Sequence, residues 1–252
     1  MKKPLIQSLE RALDIVEIIR DASEAMRSAD VARMSGLRVA TANNILRTLY
    51  QRGYLTQDES SRYLLGPECF KLYGASADRF TELKRIVSVP VQELAAATGD
   101  TTFFGCEYYG SLYCVSISQG GGQLVVSPQQ SWLDQLHCTA SGKIIIAEHG
   151  LDWYAGLCRR TPPQALTEHT IVTVEAMAAE VEQIREKGYA LSVGECAEEI
   201  AAVGIAVRDR SGAFVGALGQ TFPAFYLENG RIDVEGRVEQ MRRCARGIAD
   251  EL

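Results

Sequence analysis

Apolar residues recur at helical spacing three times in the first fifty positions. Leu9, Ala12, Leu13 and Val16 fall at i, i+3, i+4 and i+7, and Ile15 and Ile19 continue the stripe. Ser8 stands where a cap belongs, with Glu10 in the first turn, where negative charge complements the helix dipole. In the next, shorter segment Val31, Ala32 and Met34 form one small apolar face, predicted to be buried, and Gly36 stops it as a left-handed residue. A helix of about eight residues does not persist alone in water, so it must dock on neighbours.

The third segment, 39–52, places Ala42, Ile45, Leu46 and Leu49 on its inner face, and Gly53 closes it. At 100° per residue the opposite face collects Ala40, Asn44, Arg47 and Gln51, flanked by Thr41, Asn43 and Thr48, with no acidic residue. Amides, hydroxyls and an arginine hydrogen-bond base edges and phosphates, whereas a carboxylate would repel the backbone. Helix, short glycine-containing turn, helix is the layout of a helix-turn-helix. Two strands around a polar turn at 57–61 follow as a wing, with Arg62 close enough to the turn to reach a phosphate or a minor groove. A three-helix core with a polar outer face also occurs without nucleic acid, so pattern alone leaves both readings open.

Further along, 67–87 reads as a helix after a proline start, with Cys69, Leu72, Tyr73, Ala77 and Phe80 among charged residues. A separate helix is expected at 91–97, ending at Gly99, then strands at 101–107 and 112–118 joined at Tyr109-Gly110, with Gly120-Gly121-Gly122 as a mobile loop tip. Val174, Met177, Ala178, Val181 and Ile184 form an amphipathic helix closed by Gly188. Strands near Ala190, at 201–207 and at 214–220 precede a last helix at 234–249. Strands with helices packed on them make an α+β fold class.

Composition narrows the class. Of 252 residues, 46% are hydrophobic and 23% charged, which fits a globular chain and excludes collagen, disorder and a coiled-coil rod. No apolar run approaches the ~18–20 residues of a membrane span, and the N-terminus lacks a signal-peptide core, so a cytoplasmic chain without membrane partners is expected. The seven cysteines contain no Cys-x-x-Cys and are expected to be reduced thiols. The net charge of −6 is uneven: residues 1–85 hold 14 basic and 11 acidic groups, the rest 12 and 21. A mildly basic front on an acidic body leaves a local phosphate-binding patch possible in the first part alone.

The stretch from His137 to Lys143 carries the most chemistry in the second part. Thr139, Ala140, Ser141 and Gly142 lead into an apolar helix expected at 143–148, and small residues at a helix start expose backbone N–H groups to an anion. A phosphate loop is excluded, because position 137 is histidine where glycine is required and Ile144 replaces the Ser/Thr. The three histidines, His137, His149 and His169, and the cysteines show neither metal-ligand spacing nor a nucleophile arrangement, so no catalytic residue, metal or cofactor is expected.

Several ordered motifs carry a resemblance over nearly the whole chain. They are Ser8-Leu9-Glu10-Arg11-Ala12-Leu13-Asp14-Ile15, the turn from Val31 to Gly36, Thr48-Leu49-Tyr50-Gln51-Arg52-Gly53-Tyr54-Leu55, and Tyr63-x-Leu65-Gly66. Leu136-His137-Cys138-Thr139-Ala140-Ser141-Gly142-Lys143, Leu166-Thr167-x-His169-Thr170-Ile171, Ile184-Arg185-x-x-Gly188-Tyr189-Ala190 and Asp209-x-x-Gly212 continue them. Together they resemble the IclR family of bacterial transcription regulators. The chain departs from the family in carrying Asn44 where many members have arginine, Ser88-Val89-Pro90 where Arg-Pro is frequent, and Ser192-Val193-Gly194 where acidic residues are common.

The resemblance implies a winged helix-turn-helix at 1–66, a linker and dimerisation helix at 67–88, and a GAF/PAS-like effector-binding domain at 89–252. It implies a sequence-specific regulator, more often a repressor, that binds pseudo-palindromic operator DNA as a homodimer or a dimer of dimers. Arg38, Thr41, Asn43, Asn44 and Arg47, with Arg62 from the wing, are then the DNA-binding candidates. Carried over onto this chain, the family's effector contacts fall on Ala140, Ser141, Ser192, Ala202, Gly219 and Thr221, with Ser141 and Thr221 as hydroxyls able to orient a small carboxylate. The alternative is a metabolite sensor or enzyme whose winged helix serves protein interaction; such a protein would bind all DNA fragments equally poorly.

Overall fold

The computed structural model describes residues 5–122, 124–126 and 135–252, without the side chains of 73–79, so Tyr73 and Ala77 lie outside the described side chains. The chain divides into two compact units, Met1–Phe80 and Thr81–Leu252.

The first unit holds helices α1 (Gln7–Asp21), α2 (Ser28–Met34) and α3 (Val39–Gln51), then strands β1 (Leu55–Gln57) and β2 (Tyr63–Leu65). Ile15, Ile19, Val31, Leu46 and Leu55 form its core, with Met26, Leu37, Ile45, Leu49, Tyr63 and Leu65 packed around them. The inner face of α3 is therefore as the periodicity predicts. The stripe on α1 holds only in part: Ile15 and Ile19 are buried, whereas Leu9 and Leu13 are 57% and 54% exposed. Met34 is likewise exposed at 59%, because α2 buries only Val31 and Ala32. Ser8 lies inside α1; Ile6 occupies the cap position and supplies no side-chain hydrogen bond.

The wing pairs antiparallel with Leu55 opposite Leu65, and Met26 adds a bridge to Tyr63 through two backbone hydrogen bonds. A side chain at Gly66 would put its Cβ 2.3 Å from the Gly53 carbonyl oxygen, so glycine lets the wing return against the end of α3.

Helix α4 (Pro67–Thr98) crosses the division as one element, where the sequence predicts two helices. Pro90 lies inside it and withholds a single N–H; the helix continues because its second half is held by packing, with Val87, Val91 and Ala95 fully buried. After it come β3 (Thr101–Tyr108), β4 (Ser111–Ser118), α5 (Ala140–His149), α6 (Leu151–Arg160), α7 (Val174–Lys187), β5 (Ala190–Val193), β6 (Ile200–Arg208), β7 (Phe214–Pro223), the short α8 (Phe225–Glu228) and α9 (Val234–Ala249).

The five strands form one antiparallel sheet in the order β4-β3-β7-β6-β5. One face, carrying Phe103, Ala202, Ala206 and Ala217, packs on α5, α6 and α7 through Ile144, Ile145, Tyr154, Met177 and Val181. The alternate positions face the other way, where Gln220 reaches Thr98 of α4 and Arg237 of α9.

Helix α6 escapes the sequence reading because only Gly150, at a positive φ of 89°, separates it from α5, and much of its apolar face is half-buried. Helix α5 begins at Ala140, three residues before the expected Lys143. The glycine run 120–122 is no free loop tip. A Cβ on Gly120 would meet the Gly99 backbone at 2.2 Å, and Gly122 donates to the Gly99 carbonyl.

Candidate functional site

A cavity of about 50 Å³ opens at the start of α5. All six positions named as effector contacts, Ala140, Ser141, Ser192, Ala202, Gly219 and Thr221, line it. Sheet register assembles part of this set: Ser192 pairs with Ala202, and Ala202 with Thr221, in one row across β5, β6 and β7. Phe103, Leu112 and Ile200 add apolar wall, and Cys138, Thr139 and Cys196 complete it.

Glycines let the helix come this close to the sheet. A Cβ on Gly204 would meet the Ala140 carbonyl carbon at 2.8 Å, and one on Gly219 would meet the Ser141 hydroxyl oxygen at 2.3 Å. Thr139 caps the helix: its Oγ1 accepts from Gly142 N, and its carbonyl accepts from Lys143 N. Among the described residues, no partner accepts from the N–H groups of Ala140 and Ser141. The Ser192 hydroxyl, by contrast, is committed to the Cys138 carbonyl at 2.7 Å.

The lining carries no charged side chain. Lys143, on the same helix, is fully buried, with Nζ on Glu195 Oε1 (2.5 Å), Glu180 Oε1 (3.1 Å) and the Leu191 carbonyl (3.1 Å). It joins α5 to α7 and to the turn after β5. Burial pushes the Glu195 carboxyl above its ordinary range, against the pull of Lys143. An anion in the cavity would therefore meet the helix-start N–H groups and hydroxyls, not a cation. At about 50 Å³, several times the ~10–15 Å³ a water needs, the space suits a ligand of few heavy atoms.

In the first unit, Arg38, Asn43, Asn44 and Arg47 are exposed on or beside α3, and Thr41 is half-buried. Arg38 is the residue preceding the helix, and Arg47 donates to Asn44 Oδ1 at 3.2 Å. Arg62 stands apart from them: its Nε is paired with Asp58 Oδ2 at 2.8 Å across the wing turn. Hydrogen bonds from the Arg62 and Ser60 backbones and from the Arg62 guanidinium hold the Asp58 carboxyl below its usual range.

Sequence reasoning missed Cys138, Thr139 and Cys196 as wall residues. Cys138 and Thr139 sat inside the quoted motif, so their position was visible; Cys196 carried no signal, because a turn brings it back from 58 residues away.

Comparison with known proteins decides the family. Residues 8–59 match the IclR helix-turn-helix domain, and residues 77–250 match the bacterial transcriptional regulator IclR C-terminal family. The chain belongs to the IclR family of transcription regulators.

It is 30% identical to the glycerol operon regulatory protein of Streptomyces coelicolor, over 98% of this chain and 96% of that one. It is 27% identical to the transcriptional regulator XynR of Escherichia coli, over 85% of each. Among solved structures, an IclR homologue from Microbacterium hydrocarbonoxydans complexed with 4-hydroxybenzoate superposes with a TM-score of 0.73 at 18% identity, covering 97% of this chain and 98% of that one. Thermotoga maritima IclR superposes at 0.68 and 20%, with 98% of both chains covered. The IclR-family relatives are named as regulators, not enzymes. Among the described residues no helix is long and apolar enough to cross a membrane.

Proposed function

We infer that this IclR-family regulator binds a pseudo-palindromic operator through α3 and the wing, and that a small carboxylate in the cavity at the start of α5 biases it between DNA-competent and DNA-incompetent states. The observation that carries the reading is the cavity itself: it gathers Ala140, Ser141, Ser192, Ala202, Gly219 and Thr221 around a helix start with N–H groups to spare. An uncharged, mostly apolar wall that also carries those donors and the Ser141 and Thr221 hydroxyls suits a compact anion with an apolar body. The effector acts only as far as its affinities for the two states differ.

On the DNA side, Asn43, Asn44 and Arg47 project from an exposed helix face without acids, with Thr41 and Arg38 at its start. Arg62 joins them by exchanging Asp58 for a phosphate. Exposed Leu5, Ile6, Leu9 and Leu13 form an apolar strip at the front of the first unit, which supports pairing with a second copy there. Domains at 1–66, 67–88 and 89–252 then serve DNA binding, linkage and effector binding, in a cytoplasmic homodimer or dimer of dimers acting as a repressor.

The test is selection of bound fragments from the source genome at near-physiological salt. Enrichment of a pseudo-palindrome, lost in the Asn44→Ala/Arg47→Ala double variant, is expected. Equal retention of all fragments with and without metabolite pools overturns the reading.

A further inference from the structure

Two thiols meet in the wall of the cavity. Cys138 precedes the Thr139 cap of α5, and Cys196 lies in the turn after β5. Their sulfurs are 3.0 Å apart, and the Cys196 thiol also lies 3.0 Å from the Cys138 carbonyl oxygen. That carbonyl accepts from the Ser192 hydroxyl too, so the segment at 138 is held in place facing residue 196. Among the described residues no other cysteine pair is in sulfur contact.

We propose that Cys138 and Cys196 form a redox-modification site that closes to an intramolecular disulfide under hydroperoxides and reopens under thiols. This goes beyond the regulator reading and stands without it. Both residues line a space of about 50 Å³, ample for hydrogen peroxide, whose two heavy atoms need little more room than a water. Cys138 is fully buried and Cys196 partly exposed, so Cys196 is the thiol a solvent-borne oxidant meets first. In a reducing compartment a disulfide is characteristically transient and sensing.

The chemistry balances in two displacements. The Cys196 thiol loses its proton, and its thiolate attacks one peroxide oxygen. The O–O bond breaks, leaving a sulfenic acid on Cys196 and a hydroxide that takes up the proton as water. The Cys138 sulfur then attacks the Cys196 sulfur, the S–O bond breaks, and the departing hydroxide takes the Cys138 proton as a second water. Two thiols are oxidised by two electrons and one peroxide is reduced. A thiol reductant reverses the bond by exchange. The disulfide ties the start of α5 to the β5–β6 turn, directly beside Ser141 and Ser192.

The test treats the purified, reduced full chain with hydrogen peroxide, quenches it by alkylation in denaturant, and maps it without reduction. Two of the seven thiols are expected to disappear, with a linked peptide joining 138 to 196 that dithiothreitol separates. The Cys196→Ser and Cys138→Ser variants, examined separately, are expected to lose the linked peptide; Cys196→Ser, at the more exposed position, remains informative if the buried substitution unfolds the chain. Oxidation of either cysteine to an unlinked sulfinic acid, linkage to a different cysteine, or retention of both thiols while others oxidise overturns the proposal. None of these readouts uses DNA or effector, so a linked pair in a chain that binds neither would leave this site standing while the regulator reading fell.

Discussion

The hydroxyl of Ser141 occupies the space that a side chain at residue 219 would need: a Cβ on Gly219 would lie 2.3 Å from its oxygen. Strand β7 and helix α5 are thus fitted to each other through one missing methyl group. Gly219→Ala is expected to destabilise the chain by about 1–3 kcal/mol, the usual cost of overpacking. Adding Ser141→Ala should recover most of that loss, because the next Ser141 atom is 3.7 Å away. Denaturant melts of the two single variants and the double variant check it. Additive losses would show that the two positions do not share the space.

Lys143 gives a second coupling. Its buried ammonium faces the buried Glu195 carboxylate, with Glu180 behind. Lys143→Met is expected to cost about 3–5 kcal/mol, since it strands Glu195 without its cation. Glu195→Gln added to it should restore a large part, because a neutral amide needs no counter-charge. Chemical denaturation of the set measures both, and a double variant no more stable than Lys143→Met contradicts the account.

His137 makes the second unit sensitive to acid. Burial lowers its pKa below the ordinary 6.5, while its Nε2 donates to the Gln164 carbonyl at 2.9 Å. The unfolded chain therefore binds a proton more readily than the folded one between the folded pKa and 6.5. Stability contributed by the neutral ring is full above 6.5 and declines as pH falls through that window. The melting-temperature advantage of the native chain over His137→Gln should narrow from pH 7.5 to pH 5.5. An advantage constant across that range removes the histidine from the explanation.

On the DNA face, Arg47→Ala is expected to reduce the salt slope of operator binding by about one if Arg47 serves a phosphate. Asn44→Ala should instead cost about 1–3 kcal/mol on the operator and little on unrelated DNA, as a base contact would. Titrations at several salt concentrations separate the two. Equal effects on operator and unrelated fragments would take Asn44 out of base reading.

Where the inner face of an element is decided by neighbours close in sequence, pattern was enough. Ala42 and Leu46 are buried in α3 because a 3.6-residue repeat has one inner face, and Gly36, Gly53 and Gly188 take the positive φ their positions demanded. Leu9 and Leu13 look like core by the same rule yet are exposed, because a stripe states which residues are apolar and not which side a partner covers.

The cavity divides along the same line. Its helix start was legible, since Thr139-Ala140-Ser141-Gly142 is a run of small and capping residues before an apolar helix, and the family resemblance pointed to Ser192, Ala202, Gly219 and Thr221. That those four stand around that helix start depended on the strand order β7-β6-β5 and its register, which pairing between distant segments sets. The contacts between Lys143 and Glu195, between Gly219 and Ser141, and between Cys138 and Cys196 arose the same way. Each joins segments some fifty or more residues apart, and local periodicity carries no information about which distant backbone a residue will meet. Sequence by itself determined the helix-turn-helix, the wing and the family resemblance; tertiary packing decided that α4 runs on through Pro90, that α6 follows α5 after a single glycine, which small residues became cavity wall, which charges were buried, and which thiols came into contact.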